Sequence, residues 1–394
     1  MASRDSRQRF EGIELLRFIL ALGVCFYHYY YYGPHARLVP FAPVDGAGFG
    51  YLMFGVEAFF AVSGFVIVLS TANRTPAEFL IARMARLGPT LLVASSVTLL
   101  VYYALDVEPR IPHAAFRYLF SISFFPLARL SGGLDWSLWS LSFEIRFYFL
   151  VFLCMWFFDV RRWALPFAVS LLVLDACRLL CSHFLGVPFP SRIDLMRDYA
   201  PFFALGILIY HRVSTPRNSV LWFAALIMAL GLSCVRSTQL FEQLNYLTLH
   251  VRPARLADGI LVATSILVLM IVGVRRVNSA RLARIFRAAG RASYPLYVVH
   301  QLCGYWIINF MTLHVGLRLD FRPALILVMV GSSLAFGNWV EPWLISMYKR
   351  VLTDAWAVAE GLWQPRRRAA DRPLVENWRP DTAAVLASDR RIRE

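Results

Sequence analysis

The chain has 394 residues, of which 58% are hydrophobic and only 16% charged. A soluble domain carries about 25% charged residues, so this composition, with a mean hydropathy of +0.55, excludes an ordinary water-soluble globule. The net charge of +15 resides mainly in arginines at the ends of apolar segments and in the C-terminal tail, which argues against nucleic-acid binding. The six cysteines lie in or beside apolar stretches without metal-ligand spacing.

Apolar runs long enough to cross a hydrocarbon core of about 30 Å fall at 13–32, 49–70, 87–105, 138–158, 163–182, 199–211, 220–235, 256–273, 294–314 and 323–344. They predict an all-α polytopic membrane helix bundle of about ten transmembrane helices. The first run has no small-residue cleavage site behind it and reads as an uncleaved helix, not a signal peptide. The sixth is short. The stretch 113–128 is broken by Arg117 and Pro126 and reads as an interfacial or re-entrant piece. Arginines are denser in the loops on the N-terminal side, above all from Arg275 to Arg291, so both termini are expected in the cytoplasm. The membrane domain is expected over 1–348. A cytoplasmic tail, 349–394, holds an amphipathic interfacial helix at 351–363 and the basic patch Arg366-Arg367-Arg368.

Ionisable residues inside the spans are the sharpest functional signal, because a charge at membrane depth is costly and faces protein or water. Arg17 and His28 share the first span. At about 1.5 Å per residue, Arg17 falls about 6 Å and His28 about 22 Å from the cytoplasmic edge. Glu144, on the fourth span, comes out at the depth of His28, and a carboxylate there would hold the imidazole for general-base or acyl-carrying chemistry. Glu57 and Arg146 also share a depth and are expected to form a structural charge pair. Asp175 and Arg178 are spaced as an intrahelical pair. Ser63-Gly64 lacks the flanking glycine of a nucleophile elbow and reads as a close helix contact.

In order along the chain stand Arg17-x10-His28, Gly55-Val56-Glu57-Ala58-Phe59-Phe60 with Ser63-Gly64-Phe65, Arg83-x2-Arg86, Trp139-Ser140-Leu141-Ser142-Phe143-Glu144, Ser293-Tyr294-Pro295-Leu296-Tyr297 with His300, and Glu341-Pro342. Together they resemble acyltransferase family 3, integral-membrane enzymes that O-acylate surface polysaccharides, lipopolysaccharide and related acceptors. The resemblance covers roughly residues 10–345, and the SGNH hydrolase-like domain fused to some members is not expected here.

The resemblance implies an O-acyltransferase of the bacterial inner membrane that moves an acyl group, acetyl by default, from cytoplasmic acyl-CoA to a carbohydrate or glycolipid hydroxyl. His28 and Glu144 would be catalytic. Arg83 and Arg86, expected at a helix start with free N–H groups, would hold the donor's phosphates. Arg17 would guide the pantetheine arm, and Tyr297 and His300 would line the donor vestibule. Acyl-CoA is a co-substrate, and no metal or redox cofactor is implied. Besides the bilayer and the acceptor, a polysaccharide assembly complex is a candidate partner; nucleic acid is not. The rival class, a secondary transporter or lipid-linked sugar flippase, calls for an internal repeat, and the Arg17-x10-His28 pattern has no counterpart after residue 200.

Overall fold

The computed structural model describes residues 10–44, 48–106, 108–123, 133–158, 160–184, 186, 195–215 and 219–363. All regular structure among them is helical. We number the main helices α1 (Glu11–Phe26), α2 (Gly55–Leu69), α3 (Pro76–Leu105), α4 (Ala114–Ile122), α5 (Trp139–Phe157), α6 (Val160–Phe184), α7 (Ala200–Ser214), α8 (Val220–Phe241), α9 (Leu256–Gly273), α10 (Ala280–Leu313), α11 (Arg322–Ala335) and α12 (Glu341–Trp363). The π-helical turns Tyr27–Tyr32, Glu242–Thr248 and Phe336–Val340 extend α1, α8 and α11. The chain divides into two compact units, Met1–Lys349 and Arg350–Glu394. In the second, helix continues to Trp363, and the basic patch lies outside the described residues.

Each of the ten expected spans falls on a helix. Among the described residues, eight helical stretches are long and apolar enough to cross a membrane, and Ile227, Val268 and Leu327 expose most of their surface as a lipid-facing side chain does. With these outer faces the chain is a multi-pass membrane protein. The remaining two expected spans lie on α7 and α10. Helix α7 has only 15 residues, yet every position from Ala200 to Tyr210 is buried. Helix α10 is diluted by His300, Gln301 and Asn309, all buried. A helix surrounded by protein need not be uniformly apolar, because its polar groups find partners instead of lipid.

Two close crossings set the frame. Helices α2 and α7 meet at Gly64 and Gly206: a Cβ on Gly64 would lie 2.1 Å from the Phe203 carbonyl oxygen, and one on Gly206 would lie 1.9 Å from that of Ala61. Backbones this near admit only glycine, and the Ser63-Gly64 element is the close contact its sequence suggested. Helix α1 packs along α10, its most extensive neighbour, which sets His28 beside the middle of α10.

Helix α3 begins earlier than its apolar run. Thr75 and Glu78 form a reciprocal capping box, with Glu78 N–H donating to Thr75 Oγ1 at 3.2 Å and Thr75 N–H to Glu78 Oε2 at 2.9 Å. Arg83 and Arg86 therefore lie inside the helix, where the N–H groups are already bonded, and the expected phosphate site at a free helix start is not there.

Charge pairing also departs from expectation. Asp175 pairs across helices with Arg236 at 2.6 Å, and Arg178 pairs with Asp198 at 2.7 Å, so Asp175 and Arg178 are not each other's partners. Asp198 also meets Arg236 at 3.1 Å. Residues three apart on one helix can meet, but short Asp reaches a facing helix as readily as its own neighbour.

Candidate active site

His28 sits in a π-helical turn. Its carbonyl accepts from the Gly33 N–H, an i to i+5 bond, and turns of this kind recur at functional sites because the inserted residue re-aims its neighbours. Tyr27, His28 and Tyr32 face a cavity of about 400 Å³. The second π-helical turn lines the same cavity through Gln243, Leu244 and Thr248, and Glu57, Ser137, Trp139, Tyr199, Tyr297 and Gln301 complete much of its wall. We refer to it as the His28 chamber.

The imidazole has two neighbours at its Nδ1: the Val24 carbonyl at 2.9 Å and His300 Nε2 at 3.0 Å. His300 Nδ1 lies 2.7 Å from the Tyr297 carbonyl, an acceptor only, so Nδ1 of His300 carries a proton and its Nε2 offers a lone pair when the ring is neutral. His28 Nδ1–H then donates to that lone pair and to Val24, which leaves Nε2 of His28 as the bare nitrogen. His300 is fully buried. The arrangement holds the His28 imidazole in one tautomer, oriented by a second histidine.

Glu144 does not take that part. Its Oε1 accepts from Tyr148 Oη at 2.6 Å, and it lines a second cavity, of about 50 Å³, with Arg17, Ser63, Ser140 and Ser293. Equal depth fixes a residue's height and not its direction around the helix axis; α10 supplies the partner of His28. His300, expected in the donor vestibule, is that partner. Tyr297 lies where expected with respect to Arg17, since it lines the small cavity, but together with Val56 it also lines the His28 chamber. Its hydroxyl is held by Ser140 Oγ at 2.7 Å.

The Glu57–Arg146 pair is absent. Glu57 Oε2 is buried with no hydrogen-bond partner, and Glu57 is one of the residues lining the His28 chamber. Arg146 instead donates to the Leu195 carbonyl at 3.2 Å and lies over the Phe143 ring. Arg17 is 3.5 Å from Glu14, one turn back. Arg83 and Arg86 line neither cavity.

Sequence reasoning passed over Tyr27, Ser137, Tyr199, Gln243 and Gln301. Of these, only Gln301 had a signal, its place beside His300. Ser137 is positioned by Asp135, whose Oδ1 accepts from the Ser137 N–H at 2.8 Å and whose Oδ2 accepts from the Leu302 N–H at 3.1 Å. This ties the turn before α5 to α10.

The described residues thus define an all-helical, multi-pass membrane protein with a histidine held in one orientation at a chamber. The family assignment is specific: the acyltransferase family 3 model, described as an acyltransferase domain, matches residues 10–337. The chain belongs to that family and is an acyltransferase. No curated protein and no solved structure gives a match.

Proposed function

We propose that the protein moves an acyl group, acetyl in the simplest case, from cytoplasmic acyl-CoA to a hydroxyl of a carbohydrate acceptor such as an exopolysaccharide or lipopolysaccharide, in the bacterial inner membrane with both termini inside. The observation that carries this reading is the meeting of two cavities at Val56 and Tyr297, one holding Arg17 and the other His28. One helix thereby offers a cation to a donor arriving from one side and a base to an acceptor arriving from the other.

In this reading Arg83 and Arg86 attract the donor's phosphates and Arg17 lies along its arm, with the thioester carbonyl brought past Tyr297 toward His28. Nε2 of His28 takes the proton of the acceptor hydroxyl as its oxygen attacks the thioester carbon. The carbon–sulfur bond breaks, and the proton passes from imidazolium to the departing thiolate, giving the ester and free CoA. His300 keeps the base in one tautomer throughout.

The test is consumption of radiolabelled acetyl-CoA by protein in proteoliposomes, with an envelope glycan fraction on the opposite face. Release of free CoA coupled to label in the glycan is the expected result. Uptake or exchange of glycan without thioester cleavage would overturn the reading.

A further inference from the structure

Tyr27 Oη, Glu57 Oε2 and Ser137 Oγ are buried without a hydrogen-bond partner. All three residues line the His28 chamber. Such groups normally find partners in the folded chain, since burying them alone is costly. That three residues with unpaired buried atoms share the lining of one cavity points to a ligand as the missing partner. The wall also carries aromatic rings, with Trp139 and Tyr199 packed at 5.3 Å between ring centroids. Flat rings beside hydroxyl-binding groups suit a saturated ring bearing several hydroxyls. The volume, about 400 Å³, lies at the lower end of the range for small-ligand pockets, about 300–1,000 Å³. That is room for a sugar unit and not for a folded polymer.

We propose that Glu57, with Tyr27 and Ser137, forms a diol-reading site, in which a Glu57 carboxyl oxygen accepts a hydrogen bond from the hydroxyl next to the one presented to His28. The ligand class is a neutral ring with vicinal hydroxyls. This rests on the acyl-transfer reading for the role of His28, but Glu57 acts by binding and not by moving a proton. A single-hydroxyl alcohol leaves Glu57 unpaired and is rejected for that reason, as sites built around a substrate hydroxyl reject analogues lacking it.

The probes are radiolabelled phenyl glucoside, with vicinal hydroxyls, and benzyl alcohol, with one, measured by equilibrium binding to the protein in lipid nanodiscs. The wild type should bind phenyl glucoside saturably and benzyl alcohol roughly 10- to 100-fold more weakly, the scale of one unsatisfied buried polar group. Glu57→Met should weaken phenyl glucoside by a similar factor, and Glu57→Gln, which keeps an amide oxygen, should recover most of it. Without ligand, Glu57→Met should melt at or above the wild-type temperature, because it removes an unpaired buried polar group. Equal binding of the two probes, no saturable binding of phenyl glucoside, or unchanged affinity in Glu57→Met would each overturn the diol site. So would a lowered melting temperature in Glu57→Met, which makes Glu57 structural. The acyl-transfer reading fails separately, by absent thioester cleavage in proteoliposomes, and a binding result in nanodiscs stands whichever way that assay falls.

Discussion

The two cavities on either side of Tyr297 are built on opposite plans. In the small one several polar groups have partners in the protein: Arg17 lies 3.5 Å from Glu14, Glu144 accepts from Tyr148 at 2.6 Å and Ser140 meets Tyr297 at 2.7 Å. The His28 chamber is several times larger and keeps Tyr27, Glu57 and Ser137 with unpaired atoms. A wall with open hydrogen-bonding groups is prepared for a ligand that brings its own. A wall whose groups pair with each other must exchange those pairs when a ligand enters, so it can close when the ligand leaves. We read the first as the acceptor side and the second as the donor side, where closure would keep the thioester from water.

The strongest attack on this division is His28→Ala. Loss of a general base lowers turnover by about 10²–10⁴-fold, while one half-buried side chain on a packed helix leaves membrane insertion unchanged. Thioester cleavage in proteoliposomes, with protein amount per membrane as the control, measures both; retention of more than a tenth of the activity would remove His28 from the chemistry. Next in size is Arg17→Gln. Loss of a charged hydrogen bond of about 1.5–3 kcal/mol should raise the KM for acetyl-CoA roughly 10- to 100-fold and leave the acceptor KM alone. A shift in the acceptor KM instead would reverse the sides.

His300 sits on the border, and two substitutions separate its roles. His300→Phe keeps the volume but removes the acceptor for His28 Nδ1–H; at about 1–1.5 kcal/mol for one buried hydrogen bond, kcat should fall about tenfold with both KM values nearly unchanged. His300→Gln offers an amide oxygen near the lost Nε2 and should recover part of that loss. A raised acetyl-CoA KM in either variant would return His300 to the donor vestibule that its sequence position suggested.

The helical, many-spanning fold was legible because lipid imposes it: an apolar run of about 20 residues has few other fates, and all ten expected spans fall on helices. What the pattern missed follows from the same physics. Helix α3 starts at Pro76, well before its apolar stretch, because a capping box and not hydropathy sets its first turn. Of the residues singled out in the sequence, most but not Arg83 and Arg86 come together at the cavities, and the expected pairs less so. Arg17, His28, Glu57, Glu144, Tyr297 and His300 all reach the two cavities or the base itself. Depth along a helix, however, carries no azimuth. The arithmetic that set Glu144 level with His28 could not show that α10 lies against α1, nor that Glu57 and Arg146 turn to different neighbours. The π-helical turn that aims His28 left no mark on the tyrosine-rich run Tyr29–Tyr32 around it.

The smallest expected effect decides where Glu144 belongs. If it served His28, Glu144→Gln would lower kcat by orders of magnitude, because an imidazolium would lose its counter-charge. The structure instead spends its Oε1 on Tyr148, in the cavity that also holds Arg17. The amide in Glu144→Gln still has an oxygen for Tyr148, so only the charge near Arg17 and Arg83 changes. We therefore expect kcat and the acceptor KM within about twofold of wild type, and an acetyl-CoA KM changed by no more than about tenfold, the scale of one hydrogen bond of about 0.5–1.5 kcal/mol. Steady-state kinetics with each substrate varied in turn distinguishes the outcomes. A collapse of kcat at unchanged acetyl-CoA KM would mean that Glu144 crosses to the His28 side during the reaction, and the boundary at Tyr297 would then be a barrier only at rest.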